Sequence, residues 1–204
     1  MLQAQSKFSK ACNPYQAEGL ILRNADQFQP FPFCIWITGL PGAGKTTLAR
    51  ALFAELQRQR LSAVILDGDE LRQGLCADLG FSDADRHENI RRAGEVARLM
   101  YGAALVVICA FVSPFAADRD RVRRLFPAEN FAEIYLSTPL ETCALRDPKG
   151  LYARAKAGST LGLTGLQAPY EVPVAPDLTL DTSQLNVPEA LRKLLVLLGL
   201  PSDG

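Results

Sequence analysis

Residues 39–46 read GLPGAGKT and satisfy the spacing G-x-x-x-x-G-K-[ST]. Glycines at 39, 42 and 44 let successive backbone amides turn their hydrogens towards one point. Placed at the start of a helix, such a turn is a nest for anions. Lys45 supplies a positive charge for β- and γ-phosphates, and Thr46 supplies a hydroxyl of the kind that Mg²⁺ takes as a ligand. The expected occupant is a nucleoside triphosphate with magnesium, enclosed by Gly39, Leu40, Pro41, Gly42, Ala43, Gly44, Lys45, Thr46 and Thr47. No N-K-x-D segment that would read guanine occurs anywhere in the chain, so ATP is the default donor. GTPases, ATP-driven motors and small-molecule kinases all share such a loop, and it does not say where the held phosphoryl goes.

The acceptor has to be sought in the other reactive residues. In ILDGDELR (65–72), Asp67 and Asp69 flank Gly68. A carboxylate here can orient Mg²⁺, directly or through water, or accept the proton of an attacking hydroxyl, while the plain alternative is a solvated turn. In LGFSDADRHENIRR (79–92), Arg86 and Asn89 fall three apart on one helix face, with Phe81 before them and Arg72, Arg91 and Arg92 nearby. Guanidinium groups grip phosphate or sulfate oxygens in pairs, and a ring suits a purine face. A solvated charged helix is the competing reading. His87, the only histidine, reads as an exposed helix residue. Ser113, in FVSPF (111–115), has no second histidine or nearby base to activate it, which favours a contact over a covalent role. RDPKGLYARAKAG (146–158) suits a lid, in which Arg146, Asp147 and Lys149 close over phosphates and exclude water.

These groups need a frame. Apolar runs at 33–38, 62–67, 103–111, 131–137 and 177–182 read as strands, the first three almost continuously apolar, as strands buried on both faces are. Between them, residues 45–60 place Leu48, Leu52 and Leu56 one turn apart. Residues 84–102 set Ile90, Ala93, Val96, Ala97 and Met100 inward, and a last helix starts near Pro188. Strand–helix alternation predicts an α/β fold: a mostly parallel five-stranded sheet with helices on both faces, of the P-loop NTPase type. Ligands of such sheets sit at the carboxyl ends of the strands, where every reactive group above falls. Residues 1–32 read as an irregular extension and 33–200 as the kinase-like domain.

Composition narrows the partners. The 204 residues carry 22 basic and 22 acidic side chains, a balance against a nucleic-acid binder gripping many phosphates. Cysteines 12, 34, 76, 109 and 143 are odd in number and lack CxxC spacing, which suits a reducing cytoplasm. No apolar run reaches the roughly 18 residues that cross a bilayer, so the expectation is a cytoplasmic protein without a membrane partner.

Taken in order, ITGLPGAGKTTLA, LDGDELR, LGFSDADRHENIRR, FVSPF, RDPKGLYARAKAG, TGLQAPYEVP and LDTSQL resemble the adenylyl-sulfate (APS) kinase family over about residues 33–200. That family transfers the γ-phosphoryl of ATP to the 3′-hydroxyl of APS, giving PAPS. The resemblance implies that residues 39–46 hold ATP and Mg²⁺, with Thr46 and Asp69 at the metal. Asp69 would be the base or metal-orienting group, supported by Asp67 and Lys45. Arg72, Arg86 and Asn89 would bind the phosphosulfate and ribose of APS, Phe81 would stack on its adenine, and Val112, Ser113, Lys149 and Leu151 would complete the pocket. Ser113 falls where some family descriptions place a phosphoserine intermediate. A homodimer and functional coupling to ATP sulfurylase are further expectations of the family.

The chain also departs from the family pattern. Leu163 stands where an aromatic residue usually completes the adenine sandwich, a change worth on the order of 1 kcal/mol. Glu70 replaces a common amide, and PGAGKTT replaces SGSGKST while keeping the metal hydroxyl. Two other readings stay open: a P-loop kinase for a different small hydroxyl acceptor, and a non-catalytic nucleotide-binding module.

Overall fold

The computed structural model describes residues 33–158 and 162–201; the expected extension at 1–32 lies outside the described residues. The elements run β1 (Cys34–Gly39), α1 (Lys45–Arg58), β2 (Ala63–Asp67), α2 (Gly68–Leu71), α3 (Asp83–Gly102) and β3 (Val106–Ala110). They continue with α4 (Ala116–Arg123), β4 (Phe131–Leu136), α5 (Leu140–Arg146), α6 (Leu151–Lys156), β5 (Leu178–Leu180) and α7 (Val187–Leu197). The five strands form one sheet in the order β2-β3-β1-β4-β5, and every pairing is parallel.

The expected α/β sheet is therefore present, and it is parallel throughout rather than mostly so. Strand β1 lies at its centre, and the alternation of its side chains divides the core in two. Ile35 and Ile37 face a layer with Leu48, Leu52 and Leu56 of α1 and Ala190 and Leu194 of α7. Cys34 and Trp36 face the opposite layer, with Ile90, Ala93 and Ala97 of α3 and Val122 of α4. A strand buried on both faces has little room for a polar face, which is why CIWI reads as unbroken apolar sequence, with the polar Thr38 only at its end.

Helix ends are set by local chemistry. Ser82 and Asp85 form a reciprocal capping box at the start of α3, and Asn186 and Glu189 do the same for α7, which also begins with Pro188. Because β1 connects to β2 across β3, while β3 connects to β4 across β1, the connections leaving β1 and β3 diverge. The crevice between them, at the carboxyl ends, is where a ligand fits.

Candidate active site

A cleft of about 1100 Å³ opens at that crevice. Its donor half begins at the turn between β1 and α1. Gly42 has φ 80°, and a Cβ there would lie 2.8 Å from the carbonyl oxygen of Cys143 in α5. Only a residue without a side chain fits the close approach of these two backbones. Pro41, Gly42, Gly44, Lys45, Thr46 and Thr47 line the cleft. Gly39 and Leu40 lie behind it: the Lys45 ammonium donates to their carbonyls at 2.8 and 2.7 Å. The Ala43 side chain is in the core, while its carbonyl accepts the Thr182 hydroxyl at 2.9 Å. Burial pulls the Lys45 ammonium down to about 8, opposed by nearby acidic groups that include Asp67 and Asp69.

Thr46 donates its hydroxyl to Asp67 Oδ2 at 2.7 Å, and Asp67 Oδ1 accepts the Asp69 amide at 2.9 Å. A hydroxyl and a carboxylate side by side at the mouth of the phosphate loop are the hard oxygen donors that suit Mg²⁺. The carboxylate of Asp69, more than half exposed, forms an ion pair with Lys149. Asp69 and Lys149 thus belong to one cluster, although eighty positions separate them in sequence.

The acceptor half is made of side chains. Arg86, 8% exposed, donates to the carbonyls of Phe81 and Gly162 at 2.9 and 2.6 Å and to the Thr164 hydroxyl at 2.7 Å. Arg72 donates to the carbonyls of Leu79 and Gly80 and lies 4.5 Å over the ring of Phe81, which is 49% exposed. Among the described residues neither guanidinium forms an ion pair with a carboxylate, and burial lowers the pKa of both. Two guanidinium groups with carboxylates nearby (Asp69, Asp83 and Asp85) but none in salt-bridge contact give a cleft wall the character of an anion site. Asn89 is 5% exposed and its side-chain oxygen has no hydrogen-bond partner among the described residues, so the cleft leaves a donor wanting there.

Val112, Ser113, Leu151 and Leu163 complete the wall. Leu163 is 8% exposed and packs into the core layer shared with α1, so an aliphatic side chain fills the place expected for a second ring. Ser113 is buried; its hydroxyl donates to Thr38 at 2.9 Å and accepts the Trp36 indole at 3.1 Å.

Several side chains lie elsewhere than the spacing predicts. Arg91 pairs with Glu88, and Arg92 with both Asp78 and Glu88; neither lines the cleft. His87 is not simply exposed: its Nδ1 lies 2.6 Å from Asp118 Oδ2, and its ring packs against Phe115. In the lid segment, Arg146 donates to the hydroxyl and carbonyl of Thr182, both at 2.7 Å. Asp147 lines the cleft but spends its carboxylate on the amides of Tyr152 and Ala153, where it caps α6. Sequence reading passed over Thr164 and Thr182, although both fall within the quoted TGLQAPYEVP and LDTSQL segments. It also passed over Tyr152, whose hydroxyl donates to the Pro41 carbonyl at 2.9 Å and ties α6 to the phosphate loop.

An all-parallel sheet with a phosphate loop after its first strand, faced by a wall of arginines, is the architecture of a P-loop kinase. The particular family follows from comparison: residues 31–181 match the adenylylsulphate kinase family, and the chain belongs to it. An adenylyl-sulfate kinase of Marinobacter nauticus is 52% identical over 176 residues, covering 86% of this chain and 88% of that one. The APS kinase of Mycobacterium tuberculosis, solved in complex with AMPPNP and APS, superposes with a TM-score of 0.79. It is 41% identical, over 84% of this chain and 99% of that chain. A hexameric APS kinase from Thiobacillus denitrificans superposes with a TM-score of 0.63 at 35% identity, over 82% of this chain and 29% of that longer one. No helix among the described residues is long and apolar enough to cross a membrane.

Proposed function

We propose that this chain transfers the γ-phosphoryl group of ATP to the 3′-hydroxyl of adenosine 5′-phosphosulfate, giving PAPS and ADP. The reading is carried by the basic acceptor wall: Arg72 and Arg86 without ion-pair partners among the described residues, beside the Asn89 side-chain oxygen that no described residue satisfies, opposite the phosphate loop of a member of this family.

In this reading the amides of residues 42–46 and Lys45 cradle the β- and γ-phosphates. Thr46, with Asp67 and Asp69, holds Mg²⁺, which when bound offsets charge on the β- and γ-phosphate oxygens. Arg72, Arg86 and Asn89 hold the phosphosulfate and ribose, Phe81 offers its ring face to the adenine, and Val112, Ser113, Leu151 and Leu163 shape the pocket. Asp69 accepts the proton of the 3′-hydroxyl as that oxygen bonds to the γ-phosphorus and the bond to the β,γ-bridging oxygen breaks, releasing ADP. For this the carboxylate must part from Lys149, which then turns to the incoming phosphates with Arg146 as the lid excludes water. Ser113 takes no covalent part. Its proton is engaged by Thr38 and one lone pair by Trp36, and in-line transfer needs no intermediate.

The same reading takes residues 33–200 as the working domain, the cytoplasm as its place and a homodimer as its assembly. Its place is supported by four free, buried cysteines among the described residues. Coupling to ATP sulfurylase, which would supply APS, belongs to it too. The test is a coupled assay with Mg-ATP and APS that follows ADP and identifies PAPS. A panel of sugar acids, sugars and nucleosides runs alongside as rival acceptors. Turnover with one of those and none with APS overturns the proposal, and tight ATP binding with no acceptor phosphorylated makes the chain a binding module.

A further inference from the structure

Behind the acceptor wall lies a hydrogen-bond network that the transfer chemistry does not itself use. Ser113 has φ 38°, a left-handed value that a residue with a side chain adopts only when its surroundings hold it. The holding groups can be counted proton by proton. Thr38 Oγ1 has one hydrogen, donated to the Val112 carbonyl at 2.7 Å. Its lone pairs are then left to accept from the Ser113 hydroxyl at 2.9 Å and from the Tyr170 hydroxyl at 3.0 Å. The Trp36 indole donates to the Ser113 oxygen at 3.1 Å, which fixes the serine rotamer.

Three further bonds clamp the same turn to the segment that carries Tyr170. Arg119 donates to the carbonyls of Ser113 and Glu171, each at 2.7 Å, and the Glu171 amide donates to the Pro114 carbonyl at 2.8 Å. Thr38 is the residue before Gly39, where β1 gives way to the phosphate loop. Thr38 therefore joins three parts of the site: the strand that launches the donor loop, the Val112–Ser113 turn on the acceptor wall, and the segment that supplies Leu163, Thr164 and Tyr170. Burial pushes the Tyr170 phenol well above its ordinary pKa, so it stays a donor throughout the physiological range.

We propose that Tyr170 is a positioning residue for phosphoryl transfer: its hydroxyl, acting through Thr38, locks the left-handed Val112–Ser113 turn in register with the strand that feeds the phosphate loop. The proposal rests on the reading that this turn lines the acceptor site. Tyr170 does not line the cleft, and its influence is geometric. Without its hydrogen bond one lone pair of Thr38 is left dry, and the turn is free to relax from its strained conformation.

The experiment uses Tyr170→Phe, which removes one oxygen and keeps the ring beside Tyr135 and Arg119. The expected result is a rise in the KM for APS of about fivefold to tenfold, the loss of one good hydrogen bond expressed as affinity. The KM for ATP and the melting temperature are expected to stay close to the wild-type values. A second readout needs no turnover. The chain has a single tryptophan, so its indole N–H gives one resonance in a ¹H–¹⁵N spectrum. That resonance should move in Tyr170→Phe, because the Ser113 oxygen that it donates to is displaced. In the chain that keeps Tyr170, Thr38→Ser, which retains the hydroxyl, should leave both values near wild type, while Thr38→Val should reproduce the defect. An unmoved indole resonance overturns the proposal. So does a matched fall in kcat with both KM values raised and a lowered melting temperature, which would make the network merely structural. If the wild-type chain fails to phosphorylate APS, the functional reading falls, and the locking of the turn is judged by the indole resonance alone.

Discussion

The donor side of the cleft comes from one uninterrupted stretch, residues 41–47, and most of what it offers a ligand is backbone. The acceptor side gathers Asp69, Arg72, Phe81, Arg86, Asn89, Ser113, Lys149 and Leu163 from stretches that only the folded sheet and its connections bring together. The first kind of site needs glycines where no side chain fits and one cation, and little in it can vary without loss of the whole. The second is assembled from side chains on separate segments, so a single position such as Leu163 can change without rebuilding the loop that holds the donor. A donor common to many reactions and an acceptor peculiar to one suit this division.

Substitutions on the two sides should therefore differ in kind, and the largest effects belong to groups that act on the transferring phosphoryl itself. Asp69→Ala should lower kcat by about 10²–10⁴-fold, the usual worth of general-base catalysis, with little change in melting temperature because the carboxylate is mostly exposed. A near-normal rate would remove Asp69 as base and metal-orienting group. Lys45→Ala should cost about 10²–10³-fold in kcat, as loss of one electrostatic contact to a developing charge does. Equal losses in ATP and acceptor KM with kcat intact would contradict that.

Smaller effects should separate the halves more finely. Arg86→Lys keeps the charge but loses the fork that reaches Phe81, Gly162 and Thr164. The expected rise in KM for APS is about tenfold with the KM for ATP unchanged. A shift in both would show that the halves are not independent. The donor side should also carry a pH signature. With the Lys45 ammonium titrating at about 8 in the nucleotide-free protein, binding a triphosphate above that pH requires proton uptake. The dissociation constant for Mg-ATP, measured by calorimetry, should be level below pH 7.5 or so and weaken by up to about tenfold per pH unit above 8. An affinity unchanged through pH 9 would exclude a linked proton at Lys45. The smallest effect is expected from Leu163→Phe: KM for APS should fall about fivefold, a ring pair being worth roughly 1 kcal/mol. No change would mean that Leu163 and its neighbours already satisfy the base.

The same contrast explains what the amino-acid sequence revealed. The phosphate loop was legible because its chemistry depends on spacing within eight residues, between a strand and a helix that both announce themselves by periodicity. The strands were legible too, to within a few residues, because burial on both faces leaves near-continuous apolar runs. The ends were trimmed where the pattern cannot see pairing: 103–111 shortened to Val106–Ala110, and 177–182 to Leu178–Leu180. Residues of the acceptor wall could be nominated by type and by family likeness, but not sorted. Arg86 and Arg92 look alike on paper. Only the fold shows that one turns into the cleft towards Thr164, while the other is taken by Asp78 and Glu88. The Trp36–Ser113–Thr38–Tyr170 network was invisible because its partners lie 75 to 132 positions apart and each residue alone looks like ordinary core. The pairing of His87 with Asp118 was invisible for the same reason: Asp118 is on another helix.

The missing side chain at Gly42 has one more consequence. The carbonyl it lets approach belongs to Cys143, one turn before the end of α5, and Arg146 at that end begins the lid. Gly42 is thus a spacer of zero thickness between the cradle of the phosphates and the helix that leads into the proposed cover. A methyl group there would push the two apart, and if the cover closes as proposed, its cost would be felt as leakage of the phosphoryl group to water as well as slower transfer. Position 42 and α5 are in this sense held to a single mechanical tolerance, written in two places.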